Sequence, residues 1–186
     1  MAKNILICDD AAFMRMMIKD ILSIITENKK LKKEGIHTCV DTSGIFFDET
    51  NAEVVAKYDE LLKVCDLFLL DIKHIDEDKH VELTGLSSNK VKAFAKYLSD
   101  HKKPVWIRHV LVDGYTNDEA YLLKTRAFID TLENVEKIEV LPYHTMGLPK
   151  YTQLGIEYPL QGVSAPSKES VLKAKEILGV MRYVNK

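Results

Sequence analysis

The chain has 186 residues, of which 46% are hydrophobic and 29% charged, and its formal net charge is −2. These values are ordinary for a globular protein, so we expect a single domain, 1–186, that buries about 70% of its unfolded surface. The balanced charge gives no electrostatic basis for binding nucleic acid or an anionic membrane. Neither a signal peptide nor an apolar run near the ~18 residues of a membrane span is visible, which predicts a cytoplasmic protein.

Apolar segments of strand length alternate with helical patterns along the chain. The predicted strands are 4–8, 36–40, 67–70, 105–111 and 137–141, and the predicted helices are 11–33, 52–64, 88–101, 117–132 and 168–180. The strands are rich in Val, Ile and Leu without strict alternation, which is typical of parallel strands buried on both faces. Segment 145–166 shows little periodicity and is predicted to be a long loop.

Five βα units in series predict an α/β fold with a parallel sheet and right-handed crossovers. Two layouts are compatible with that order. In a partial, TIM-like barrel the strands follow one another in sequence order. In a flavodoxin-like open sheet the first strand lies between the second and the third.

Polar side chains cluster where the predicted strands end. Ligands of parallel α/β folds bind at the carboxyl ends of the strands, so these side chains are candidates for one binding site. Acidic residues also cap helices, which is the alternative explanation for any one of them. The candidates are Asp9, Asp10, Asp41, Thr42, Ser43, Asp71, Lys73, Arg108, His109, Tyr143 and His144.

From about Lys32 onward, the order of motifs resembles the pyruvate formate-lyase activating enzymes, a family of radical S-adenosylmethionine (SAM) proteins. The motifs are DTSG at 41–44, DIK at 71–73, WIRH at 106–109 and LPYH at 141–144. The resemblance implies the partial barrel of the radical SAM type, which we favour over the flavodoxin-like layout. It further implies that SAM would be contacted by Asp41, Lys73, Arg108 and His144. Asp9 and Asp10 stand where the family has its GGE motif, and either, with Asp10 the candidate we name, could accept from the SAM amine.

The same resemblance implies a monovalent cation, Na⁺ or K⁺, beside the SAM carboxylate. Its ligands would be Asp41, the Thr42 and Leu69 carbonyl oxygens, and Asp71. An all-oxygen set suits a hard cation, and two carboxylates that face an anionic ligand require positive charge between them.

The sequence departs from that family at the iron-sulfur cluster. The three cysteines, Cys8, Cys39 and Cys65, form no CxxxCxxC motif, and the GGE motif is also missing. We interpret the cysteines as small buried residues. The prediction is a SAM-binding domain without an iron-sulfur cluster and without radical chemistry of its own.

The first 22 residues instead resemble the opening strand and helix of chemotaxis response regulators of the CheY type. The chain is therefore interpreted as a chimera, with a receiver-like unit at 1–28 and radical-SAM-like units at 29–186. One alternative function is a Mg²⁺-dependent phosphoacceptor built from Asp9, Asp10 and Asp71, although the receiver Lys-Pro pair is missing. A catalytically inert fusion is the other alternative.

Two further expectations concern the surface. His37, His74, His80 and His101 stand among polar neighbours and are predicted to be surface residues. A partial barrel leaves unpaired strand edges, which favour self-association. We therefore expect either a homodimer or coverage of the open side by 145–166.

Overall fold

The computed structural model describes residues 4–8, 17–158 and 160–183, and these form a twisted parallel sheet with helices packed on one face. The described strands are β1 (Asn4–Cys8), β2 (His37–Thr42), β3 (Leu67–Asp71), β4 (Val105–Leu111) and β5 (Val135–Pro142). Their order in the sheet is β1-β2-β3-β4-β5, and each neighbouring pair is parallel.

This strand order confirms the partial barrel and contradicts the flavodoxin-like alternative. In that alternative β1 would be inserted between β2 and β3. Instead β1 pairs with β2 from Asn4↔His37 to Cys8↔Asp41, and β2 pairs on its other side with β3. The first βα unit therefore continues the succession of the others.

The described helices connect the strands and carry clear start and stop signals. Asn51 and Asp118 each accept two backbone N–H groups at a helix start, and Ser167 accepts one, which satisfies donors that lack a partner in the first turn. The helices are α1 (Met17–Lys33), α2 (Ala52–Val64), α3 (Glu77–Thr84), α4 (Asn89–Asp100), α5 (Glu119–Ile129), α6 (Leu148–Leu154) and α7 (Lys168–Leu178).

Two helices lie where the sequence pattern predicted none. Helix α3 has eight residues and buries only His80 among them, so it lacks an apolar stripe that periodicity could detect. Helix α6, with the 3₁₀ turn Thr145–Gly147 before it, occupies part of 145–166, so the loop prediction was wrong there. Its proline, Pro149, stands in the first turn, where a missing N–H costs no helical hydrogen bond.

The two faces of the sheet are chemically different. The face toward the helices holds the main core, with fully buried side chains such as Phe68, Leu70, Phe94, Ile107 and Ile138. Among the residues with described side chains, the opposite, concave face has a small apolar cluster of Cys39, Leu67 and Leu69, against which Trp106 packs.

The concave face becomes charged toward the carboxyl ends of the strands. Asp41, Asp71 and Arg108 each follow a residue of the small cluster by two positions, and alternate residues of a strand lie on the same face. In the described ranges no helix combines the length and apolarity needed to cross a membrane.

Candidate functional site

The centre of the candidate site is an ion network in which Arg108 bridges two buried carboxylates. The Arg108 guanidinium donates Nη1–H to Asp41 Oδ2 over 2.7 Å and also donates through Nη2 to Asp41 Oδ1. Its Nε–H donates to Asp71 Oδ1 over 2.8 Å. One planar side chain on β4 therefore connects the ends of β2 and β3.

The register of the sheet brings these three residues together. Asp71 pairs with Arg108 across β3 and β4, and Asp41 lies one strand further away, beside Leu69. Both carboxylates are only 4% exposed. Buried charges are stable only when they are paired and hydrogen-bonded, and the forked guanidinium supplies both conditions at once.

Lys73 completes the network on the side toward solvent. Its Nζ lies 2.6 Å from Asp71 Oδ2, and about a third of its side chain is exposed. Burial acts to lower the pKa of Arg108, but hydrogen bonds and charge from Asp71 and Asp41 more than offset that effect and raise it. The four side chains combine two negative and two positive charges, so a ligand that carries both signs can exchange partners with them.

A cleft of about 760 Å³ opens among the loops that follow β3, β4 and β5. His144, the residue after Tyr143, is exposed and lines this cleft. Its contact with SAM stays a prediction. Much of the wall is aromatic, including His74, Tyr115, Tyr121, Tyr151 and Tyr158.

The residues predicted to bind a cation lie next to one another at the ends of β2 and β3. Asp41 and Asp71 share Arg108, and Leu69 pairs with Asp41 in the sheet, while the Thr42 hydroxyl accepts the Gly44 N–H over 3.0 Å. The guanidinium already supplies positive charge to both carboxylates. Among the described residues no group of three or more His, Cys, Asp or Glu could hold a metal ion. The carbonyl-containing cage for Na⁺ or K⁺ stays a prediction.

Cys39 and Cys65 lie in different parts of the fold. Cys39 lies in the small concave-face cluster, whereas Cys65 belongs to the core beneath the helices. Burial, with a smaller contribution from Asp41, raises the pKa of Cys39 to about 11, and burial raises the pKa of Cys65 to about 12. Cluster ligands are thiolates that converge on one small volume, whereas Cys39 and Cys65 belong to different apolar clusters of the fold.

Two acids of the receiver-like hypothesis, Asp9 and Asp10, lie outside the described residues. The third, Asp71, has one carboxylate oxygen bound by Arg108 and the other by Lys73. The contact predicted between Asp10 and SAM likewise stays a prediction.

The prediction that His74 and His80 lie on the surface was wrong, because both are only 3% exposed. His80 Nδ1 lies 2.7 Å from the Leu86 carbonyl, and His74 Nδ1 accepts the Asp76 N–H over 3.1 Å. These contacts are made by the loops around α3, the helix that the sequence pattern did not reveal. His37 and His101 are exposed, as predicted.

His109 is a further buried histidine, whose partners the sequence pattern did not reveal. Its strand position gave the only sequence signal, since alternate residues of β4 face the helices and are buried. Burial lowers the pKa of His109, and it also lowers the pKa of His74.

Known proteins with similar sequences and structures agree with this architecture. The pyruvate formate-lyase-activating enzyme of Staphylococcus epidermidis is 50% identical over 157 residues, which cover 84% of this chain and 60% of that enzyme. The enzyme of the same name from Staphylococcus aureus is 51% identical over 156 residues, covering 84% and 59%. The chain thus spans about 60% of the length of these relatives.

Among solved structures, a domain of pyruvate-formate lyase-activating enzyme from Bacteroides vulgatus superposes with a TM-score of 0.71 at 23% identity. The match covers 94% of this chain and 92% of that one. Archaeal TYW1 superposes with a TM-score of 0.58 at 17% identity, over 95% of this chain and 49% of that one. At these identities the superpositions establish the fold alone. The family model of the radical SAM superfamily matches residues 2–125, and the chain therefore belongs to the radical SAM superfamily.

Proposed function

We propose that this chain is a SAM-binding domain of the pyruvate formate-lyase activating enzyme type, which binds SAM at the carboxyl ends of β2, β3 and β4. The observation that supports the proposal is the buried network of Asp41, Arg108, Asp71 and Lys73. The relatives that are 50% and 51% identical to this chain are both named pyruvate formate-lyase-activating enzyme, which favours SAM as the ligand of this chain as well.

The chemistry of SAM matches the donors of this network. SAM carries a carboxylate, an ammonium, a sulfonium and a ribose with two hydroxyl groups. Arg108 and Lys73 are donors suited to the carboxylate or the ribose oxygens, whereas Asp41 accepts from an ammonium or a hydroxyl. A protein group that releases its internal partner gains a ligand group with the same charge as that partner. Binding therefore leaves no buried charge without a partner.

A monovalent cation fits the same proposal. If the SAM carboxylate attracts Arg108 away from one acid, Asp41 and Asp71 lose part of their positive partner. Na⁺ or K⁺ between these carboxylates and the Thr42 and Leu69 carbonyl oxygens would restore the charge balance. The cation would then bind more tightly when SAM is present than when it is absent.

The role of the chain in this proposal is to bind and orient SAM. The chain would hold no iron-sulfur cluster, because its sequence has no CxxxCxxC motif, and it would therefore not cleave SAM on its own. We also propose that 1–28 is a receiver-like βα unit joined to activating-enzyme units at 29–186. In that chimera, Asp10 would lie at the end of the first strand and accept from the SAM amine.

Calorimetric titration with SAM, in sodium chloride and again in potassium chloride, tests the proposal. We expect saturable one-site binding, with higher affinity in the salt whose cation fits the site better. Asp71→Asn should weaken SAM binding by roughly 10- to 100-fold, because a hydrogen bond to a charged group contributes about 1.5–3 kcal/mol.

Asp66→Asn is the matched control, because Asp66 immediately precedes β3 whereas Asp71 ends it. Asp66 pairs with Lys32 over 2.6 Å and lies far from the carboxyl ends of the strands. Its loss should leave SAM affinity unchanged. Absence of binding heat and of any melting-temperature shift at millimolar SAM, in both salts, would refute the proposal.

A further inference from the structure

His109 is buried between the loops that follow β3 and β4, and it contacts both through backbone carbonyl oxygens. Its Nδ1 lies 2.9 Å from the Ile72 carbonyl, and its Nε2 lies 3.1 Å from the Thr116 carbonyl. Only 3% of the residue is exposed. The ring is therefore a link between two segments far apart in sequence.

The contact with Ile72 acts on the centre of the candidate site. Ile72 stands between Asp71 and Lys73, and its N–H donates to the Arg108 carbonyl over 2.9 Å. Consecutive residues of β4 thus hold both hydrogen-bonding groups of Ile72, since Arg108 accepts from its N–H and His109 contacts its carbonyl. Rotation of the backbone at Ile72 would displace the flanking acid and lysine together.

The turn that contains Thr116 packs against the ring from the other side. The Thr116 hydroxyl donates to the Val110 carbonyl over 2.7 Å and accepts the Val112 N–H over 2.8 Å. These two hydrogen bonds tie the Thr116 turn to the end of β4. A ring packed against this turn can restrain the more exposed loop that carries Lys73.

We propose that His109 is a positioning residue for SAM binding: its Nδ1–H holds the Ile72 carbonyl and thereby fixes Asp71 and Lys73 in the geometry that the ligand meets. This inference rests on the proposed SAM-binding function for its consequence, but the positioning itself is a property of the free protein. The burial of His109 lowers its pKa, which favours a neutral ring with a single N–H. A single N–H can donate to only one of the two carbonyl oxygens, and the shorter contact, to Ile72, assigns the proton to Nδ1.

Hydrogen exchange in the free protein tests the positioning directly. An asparagine amide reaches the place of Nδ1, whereas a glutamine amide reaches the place of Nε2. We expect His109→Gln to accelerate exchange of the Ile72 N–H by roughly tenfold beyond its effect on global stability, as loss of one buried hydrogen bond implies. His109→Asn should restore most of the protection.

Leu178→Ala is the stability control, because Leu178 is fully buried at the end of α7, an element that carries none of the residues in the His109 contacts. In the Leu178→Ala variant, exchange of the Ile72 N–H should accelerate by no more than the loss of global stability accounts for. Equal acceleration in the glutamine, asparagine and Leu178 variants would make His109 an ordinary core residue and overturn the inference.

Two further measurements separate the possible failures. Nitrogen-15 spectra of the wild-type ring need no variant to fold; a proton on Nδ1 is expected, and a bare Nδ1 overturns the inference. In a SAM titration, the glutamine variant should bind about tenfold more weakly than the asparagine variant. If wild type binds no SAM, the proposed function fails while the exchange result still decides the positioning.

Discussion

At the scale of residues, the site depends on ionised and neutral groups that are buried with partners matched to their charge. Asp41 and Asp71 are ionised acceptors, and Arg108 presents its fixed fork of donors to both. The buried histidines next to this network are different. Burial lowers the pKa of His74 and of His109, and it outweighs the opposing charges of Asp76 at His74 and of Asp71 at His109.

This difference predicts how stability depends on pH. A histidine with a folded-state pKa below the ordinary value of 6.5 is neutral in the fold but takes up a proton when unfolded. The free energy of unfolding should therefore fall as the pH drops below about 6.5, by up to about 1.4 kcal/mol per pH unit for each histidine.

Urea unfolding between pH 7.5 and 5 measures this slope. His109→Asn removes one titrating group and should flatten the slope relative to wild type. The acidic groups do not obscure the result, because Glu77, with its pKa lowered to about 2 by hydrogen bonds from Ser88 and Ser87, loses its contribution only below its ordinary value of 4.5. A pH-independent free energy over this range would contradict the buried neutral state.

At the scale of elements, helix α7 meets helix α5 in a close contact at its C-terminal glycine, Gly179. Arg126 of α5 donates its Nε–H to Asp130 over 2.8 Å, and its guanidinium lies over Gly179 at the end of α7. Gly179 has a φ of +69°, and a Cβ there would lie 1.7 Å from Arg126 Nη1. Both the backbone conformation and the space therefore require glycine.

Gly179→Ala should destabilise the protein strongly. The left-handed backbone alone costs about 1–2 kcal/mol for a residue with a Cβ. Displacement of a buried guanidinium adds about 1–3 kcal/mol. Gly155→Ala is the control, since its φ is +64° and nothing lies within 4 Å of its Cβ position.

Thermal and urea unfolding of both variants separate the two costs. Gly155→Ala should show only the conformational part. Equal destabilisation of the two would mean that Arg126 moves aside freely, and that its contact does not hold α7 in place.

At the scale of the whole molecule, the sheet ends in strands with one partner each. Among the described strands, β1 pairs only with β2, and β5 pairs only with β4. Segment 145–166 is tied back to the end of β5, because the Tyr143 and Tyr158 hydroxyl groups lie 2.6 Å apart. The same segment presents exposed apolar side chains at Met146, Leu154 and Ile156.

We expect this molecule either to form a homodimer or to cover its open side with 145–166, because unpaired strand edges and exposed apolar surface favour association. Light scattering distinguishes the two, with a mass twice that of the chain for the dimer. A strict monomer in which protease rapidly cleaves 145–166 would contradict both outcomes.

Sequence reasoning predicted much of this fold because its signals are local. The five predicted strands overlap β1 to β5, and the five predicted helices overlap α1, α2, α4, α5 and α7, since each depends on a run of neighbouring apolar residues. Helices α3 and α6 were not predicted, because a short polar helix and a helix within an exposed segment have weak periodicity. Asp41, Asp71, Lys73 and Arg108 were identified as one group from their places at strand ends and from family motifs.

The sequence by itself determined the order of the βα units and the charged residues that reach the carboxyl ends of the strands. Only the tertiary structure decided which residues these charged side chains pair with. Arg108 pairs with Asp41, 67 residues away, and with Asp71, 37 residues away. Such pairings depend on strand order and register, which also brought His109 to the Ile72 carbonyl. Hydrophobic periodicity specifies which face a residue occupies, but only the assembled sheet specifies which residue faces it.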